Sequence, residues 1–174
     1  MLRRHILLSS LAIALSPCVA KAEPQDLPRL VPNVGKVGTG RLSVLMVPVL
    51  DLTLYGPGGT WSDERPFALH IEHLRHLDSQ GTSRRIISEI RALGFHDEAR
   101  LAAWQHELMA ILPDIKTGDT STLVRTSTGA TAFYHRNRFI GQIAEPAFSA
   151  NFFAICLSPK TTQPALRRSL LGEA

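Results

Sequence analysis

Leu112-Pro113-Asp114-Ile115-Lys116-Thr117-Gly118-Asp119 opens the stretch that decides the fold. Thr122-Leu123-Val124-Arg125, Thr131-Ala132-Phe133-Tyr134-His135 and Arg138-Phe139-Ile140-Gly141-Gln142-Ile143 follow. Pro146-Ala147-Phe148 and Asn151-Phe152-Phe153-Ala154-Ile155-Cys156-Leu157 close it. Lys-Thr-Gly-Asp is turn chemistry ahead of an alternating run. Thr128-Gly129 and Arg136-Asn137 stand where hairpin turns belong, because Gly and Asn tolerate positive φ. Glu145-Pro146 begins a helix, since proline costs little in a first turn. The pattern predicts a three-stranded antiparallel meander capped by a helix.

Upstream, Leu42 to Tyr55 is the longest β-like run. Pro48 cannot donate to a ladder, so a bulge or an edge is expected there. Gly35, Gly38 and Gly40 make a loose G-x-x-G-x-G. No strand precedes it and an apolar strand follows, so phosphate binding is rejected and a turn into the sheet is expected. Gly56-Pro57-Gly58-Gly59 is a turn. Phe67, Leu69 and Ile71 alternate with Ala68, His70 and Glu72, which predicts a strand with one apolar face. Thr82-Ser83 is read as the cap of a helix with Ile86, Ile87, Ile90 and Leu93 on one stripe, stopped by Gly94. Asp97 starts a second helix with Leu101, Trp104, Leu108 and Ile111 inward, and both helices should share one face of the sheet. Pro164 to Leu171 is a last short helix with Leu166, Leu170 and Leu171 inward.

The first 22 of the 174 residues have the pattern of a signal peptide. Arg3-Arg4 is the charged region, Ile6 to Leu15 the apolar region, and Ala20-Lys21-Ala22 a small-x-small cleavage site. Cleavage after Ala22 implies a periplasmic or secreted protein. The apolar run falls short of the ~20 residues a spanning helix needs, so no integral membrane span is expected after cleavage. Residues 23–33, with Pro24, Pro28 and Pro32, read as an extended lead-in, and 34–172 as one domain. The formal charge of +4 loses Arg3, Arg4 and Lys21 with the leader, so the remainder is nearly neutral. No basic stripe interleaves with aromatics, which argues against nucleic acid. Cys18 leaves as well, so Cys156 has no intramolecular partner.

Candidate chemistry is sparse. His70, His73 and His76 are spaced by three, but on a strand His73 points opposite to His70 and His76, so no metal site is expected. No G-x-S-x-G elbow occurs. Cys156 lies in an apolar run that implies a buried, inert thiol. Asp114 and Asp119 read as turn residues. No cofactor is implied.

The order L-P-D-I-K-x-G-D, F-Y-x-x-x-x-F-I-G-x-I, A-F-x-x-x-F-F-A-I-x-L resembles the bacterial chalcone isomerase-like domain, an exported branch of the chalcone isomerase fold. Gly40-Arg41-Leu42-Ser43-Val44-Leu45 running to Asp51-Leu52-Thr53-Leu54-Tyr55, and Thr161-x-x-Pro164-x-Leu166-Arg167-x-x-Leu170-Leu171-Gly172, agree in order and spacing. The resemblance spans about Val34 to Gly172. It implies an α+β protein, an antiparallel β-sheet with helices layered on one face.

Chalcone isomerases hold a cleft Arg, a Thr and a Tyr that stabilise charge on oxygen, with a further hydroxyl on the cleft helix. Aligned on Leu54-Tyr55, Gly94-Phe95-x-Asp97 and Pro164-x-Leu166, these positions fall near Gly38, at Leu50, at Phe95 and near Ile155, beside Cys156. None keeps its donor. One such donor is worth about 3–4 kcal/mol, so losing all of them removes most of the catalysis, and no catalytic residue is assigned. The family usually has a Trp and a Tyr where Val47 and Leu50 stand, and often a Tyr at His73. The plant fatty-acid-binding branch of the fold holds an acyl chain in the cleft and fixes its carboxylate with an Arg and a Tyr. Here Leu50, Phe95, Ile155 and Cys156 are the candidate apolar lining. Tyr55, Tyr134, Arg125 and Arg138 are the strand residues that could replace the missing Arg, with Tyr55 and Tyr134 added to the candidate ligand-binding set. The expected function is non-catalytic binding of a small apolar or fatty-acid-like ligand. A ligand-free interaction domain with an unknown protein partner, and an intramolecular lyase (isomerase) of unknown substrate, stay open.

Overall fold

The computed structural model describes residues 27–173, so the leader read in 1–22 lies outside the described residues. The element order is α1 (Leu27–Leu30), β1 (Val34–Val44), β2 (Val47–Pro57), β3 (Phe67–His73), α2 (Ser79–Ala92), α3 (Glu98–Ile111), β4 (Thr120–Arg125), β5 (Thr131–His135), β6 (Arg138–Ile143), α4 (Pro146–Leu157) and α5 (Pro164–Leu170). The strands form one sheet in the order β1-β2-β3-β4-β5-β6, every neighbouring pair antiparallel. A strictly sequential meander needs no crossover, which suits short turns and a low loop-closure cost.

Alternation along the strands builds two faces. Leu52, Leu54, Phe67, Leu69, Ile71, Leu123, Phe133 and Ile143 meet residues of α2, α3, α4 and α5 in one large apolar cluster. Tyr55, Ala68, Val124 and Ala132 point the other way and pack with Leu27 and Val31. The four longer helices therefore cover one face. The first described turn covers part of the other.

The meander and helix predicted from 112–157 occur with Gly129 at φ 82° and Arg136-Asn137 at φ 47° and 62° in the turns. Pro48 sits at a bulge: Ser43 pairs with Pro48 and Leu42 with Leu50, which leaves Val49 as the extra residue.

Four expectations are corrected. Residues 42–55 are not one run but two strands joined at Leu45-Met46, both at positive φ (49° and 65°). Neither residue is a turn former, so the break carried no sequence signal. Gly35, Gly38 and Gly40 lie within β1 rather than in a turn before it. The lead-in is helical at Leu27–Leu30, where Leu27 and Val31 gain burial against the sheet. Helix α2 starts earlier than Thr82-Ser83. Asp78 is its cap and accepts from the Gly81 amide at 2.6 Å, while Ser83 is buried and donates to the Gln80 carbonyl.

The remaining caps follow the sequence. Asp97 accepts from the Arg100 amide at the head of α3, and Gly94 ends α2 at φ 104°. Glu145 precedes Pro146 at the head of α4, but its carboxylate is committed elsewhere. It accepts from the Trp104 indole at 2.5 Å and pairs with Arg100. Arg100 in turn lies over the Phe95 and Trp104 rings. Helix α3 and the start of α4 are thereby locked together over the core.

Candidate functional site

Four of the six candidate ligand-binding residues lie on the helix side of the sheet. Leu50 is on β2 beside His73, and Ile155 and Cys156 are in the last turns of α4; all are half-buried and pack on the main apolar cluster. Phe95 joins the same cluster from the α2–α3 connection, stacked on Trp104 at 4.8 Å between ring centroids. Burial pushes the Cys156 thiol up to about 12, so it is a neutral, unreactive group at physiological pH.

Tyr55 and Tyr134 are on the opposite face. Tyr55 pairs with Ala68 and packs in the second cluster, and Tyr134 pairs with Thr122 and stacks edge-on against Phe139 at 5.6 Å. The reason is strand parity: Leu50, Leu52 and Leu54 share a face, so Tyr55 cannot. These two phenols do not share a cleft with Leu50, Ile155 and Cys156.

Gly38, the position aligned with the cleft Arg, is sealed by α5. A Cβ there would stand 2.3 Å from the Ser169 carbonyl oxygen and 2.5 Å from that of Leu170. Gly40 is similar, with a Leu166 methyl 2.6 Å from its would-be Cβ. The backbone of α5 occupies the space through which an arginine side chain would leave β1.

Of the two strand arginines named as replacements, Arg125 is on the helix side. It is the cross-strand partner of Phe67 on one side and of Thr131 on the other. Arg138 is exposed at the start of β6, beside His135.

The histidine array divides as strand geometry requires. His70 faces away from the helices and lies 3.0 Å from the Thr122 hydroxyl. His73 is 6 % exposed and its Nε2 lies 2.9 Å from the Ser121 hydroxyl. His76 is exposed in the following loop. Among the described residues, no group of three or more His, Cys, Asp or Glu side chains is placed to hold a metal ion.

His73 and Ser121 belong to a polar row that the sequence did not reveal. Ser121 pairs with His135, whose Nε2 is 3.5 Å from Asp119. Asp119 is held below the ordinary carboxylate range, first by the Lys116 amide and then by Arg136, whose Nη2 is 2.5 Å away. Burial, and next the neighbouring His135, push His73 down to about 4, so it is a neutral imidazole near pH 7. A nucleophile relay would need an acid on His73 Nδ1. That atom has no hydrogen-bond partner among the described residues, and Asp119 is engaged with Arg136, His135 and the backbone. Ser121 and His135 occupy ordinary alternating positions, so nothing local could have singled them out.

No known family profile matches the chain, and no curated protein matches it in sequence. Among solved structures, the crystal structure of a fatty-acid binding protein from Arabidopsis thaliana is similar, with a TM-score of 0.65 at 9 % identity. The alignment covers 82 % of this chain and 88 % of that one. At that identity the likeness is one of fold. The six-stranded open antiparallel sheet with its helices is the chalcone isomerase-like α+β fold that the sequence motifs implied.

Proposed function

We propose that this chain is an exported, non-catalytic chalcone isomerase-like protein that binds a small apolar, fatty-acid-like ligand between the sheet and its helices. The observation that carries this reading is the replacement of each polar cleft position by Gly38, Leu50, Phe95 and Ile155. The last three sit on one apolar cluster whose Cys156 thiol is itself desolvated. Leu50, Phe95 and Ile155 bring no side-chain donor to an oxyanion at those positions, and they offer an alkyl chain favourable burial, at ~25 cal/mol per Å². The fold likeness to a fatty-acid binding protein supports the same direction. Export rests on the leader pattern of residues 1–22 and on the likeness of the motifs to an exported branch.

The test is native mass spectrometry of protein purified gently after expression with its leader, followed by a thermal-shift panel of fatty acids on delipidated, refolded protein. A stoichiometric adduct and a melting temperature that rises with chain length are the expected result. Indifference to the whole panel would sink the proposal.

A second reading, a ligand-free interaction domain, is favoured by two close contacts in the interior. α5 closes on Gly38 and Gly40, and Phe67, Phe153, Phe152, Phe133, Phe148 and Trp104 form a continuous chain of ring contacts. A bare mass after lipid feeding would favour that reading.

A further inference from the structure

Five buried side-chain polar atoms have no hydrogen-bond partner among the described residues: Trp61 Nε1, His73 Nδ1, Thr131 Oγ1, His135 Nδ1 and Ser149 Oγ. The two histidine atoms belong to the polar row at one end of the sheet. The other three gather at the opposite end, around Phe67, about six strand residues or on the order of 20 Å away.

Phe67 opens β3 and is fully buried. The Trp61 ring meets it edge-on at 6.2 Å. The Phe153 ring packs on it at 4.7 Å, and Ser149 stands one helical turn before Phe153 on the same side of α4. Arg125 is its cross-strand neighbour and Thr131 is the next residue along that row. Thr131 and Ser149 are both wholly buried. Arg125 is half-buried, and no acidic side chain among the described residues pairs with it. One corner of the helix-side core thus holds an indole N–H and two hydroxyls without partners among the described residues, with the half-buried Arg125 guanidinium in the same cross-strand row as Phe67 and Thr131.

Hydroxyls can rotate toward a nearby carbonyl, but an indole N–H is a fixed donor that only an incoming acceptor can satisfy. A buried donor left without a partner is costly, and native interiors rarely tolerate several together. The four groups are all donors, and one is cationic. The ligand chemistry that matches them is a carboxylate, which only accepts and has room for about four hydrogen bonds. From this corner the apolar row Leu69 and Ile71 on β3, flanked by Leu54 and Leu52 on β2, leads away along the sheet.

We propose that Trp61, Arg125, Thr131 and Ser149 form the carboxylate subsite of the acyl ligand, with the alkyl chain directed along β2 and β3. This inference rests on the acyl-binding reading above and deepens it. It assigns the anionic end to β4, β5 and α4, on the same helix-covered face as sealed Gly38 but three strands across the sheet from it.

The experiment compares hexadecanoic acid with methyl hexadecanoate on the delipidated full mature chain, by titration of intrinsic tryptophan fluorescence and by native mass spectrometry. Wild type should bind the acid at least about tenfold more tightly than the ester, the difference a charge-assisted pair supplies. Arg125→Gln should abolish that preference by weakening the acid and leaving the ester unchanged. Trp61→Phe keeps an aromatic ring against Phe67 but removes the five-membered ring and its N–H; read by mass spectrometry, it should weaken the acid several-fold and the ester far less, and it serves as the second variant if Arg125→Gln does not fold. Equal affinity for acid and ester in wild type, or an acid affinity indifferent to both substitutions, would overturn the subsite while leaving acyl binding intact. Binding of neither probe would overturn the acyl-binding reading and the subsite with it.

Discussion

Gly38 and His73 show how one residue can carry a constraint from across the molecule. Any side chain at Gly38 would collide with backbone of α5, which cannot yield as a flexible side-chain tip would. Gly38→Ala should therefore cost about 1–3 kcal/mol, the usual range for an overpacked site, or release α5 from the sheet. Denaturant unfolding gives the first quantity, and amide exchange in 164–170 reports the second. His73 carries a pH dependence. Its folded value is about 4 against an ordinary 6.5, so folding favours the neutral form. Its contribution is fully present above pH 6.5 and is lost as pH falls toward 4, reaching on the order of 3 kcal/mol if the whole shift is realised. His73→Gln should flatten the stability curve between pH 6.5 and 4, measured as urea midpoints across that window. Candidate residues at this scale were only half legible. The apolar nature of Leu50, Phe95, Ile155 and Cys156 is written in the chain. The opposite facing of Tyr55 was also readable, from its odd offset to Leu54. The orphaned donors at Thr131 and Ser149 were not, because a lone hydroxyl in a strand or helix says nothing about its partners.

At the scale of elements, the β1–β2 hairpin departs most from local rules. Its two-residue turn needs positive φ at both central positions, which Asn-Gly supplies readily and Leu45-Met46 does not. These residues are also 93 % and 95 % exposed, so no packing offsets the backbone cost. Replacing Leu45-Met46 by Asn-Gly should stabilise the protein by about 1 kcal/mol or more, since left-handed backbone costs an ordinary residue about that much. A melting-temperature comparison checks it. At the head of α2, Asp78 accepts from the Gly81 amide, and Asp114 from the neighbouring loop accepts from the Ser79 amide. Asp78→Ala should cost about 1 kcal/mol, the typical value of a lost cap, while Thr82→Ala should cost little. Unfolding midpoints of the two variants separate the observed cap from the one that Thr82-Ser83 suggested.

At the scale of the molecule, the aromatic chain from Trp61 to Trp104 joins sheet, α3 and α4 in one core. Phe148 is its centre, fully buried and in ring contact with Trp104, Phe133 and Phe152. Phe148→Ala should cost about 3–5 kcal/mol. Because sheet and helices share the cluster, near- and far-ultraviolet dichroism should still report one coincident transition.

The order and kind of nearly all elements follow from the sequence by itself, because alternation, apolar stripes and turn residues act within a few positions of the chain. The same local information predicted the meander and its turns at Gly129 and Arg136-Asn137, the helix started by Asp97, the last helix read over 164–171 and found over 164–170, and the layer of helices on one apolar face. What only the tertiary structure decided depends on residues far apart. It set α5 against Gly38, it placed His73 beside Ser121 and His135, and it gathered Trp61, Arg125, Thr131 and Ser149 around Phe67. Those meetings are made by strand pairing and helix packing across the whole domain, so no window of sequence contains them.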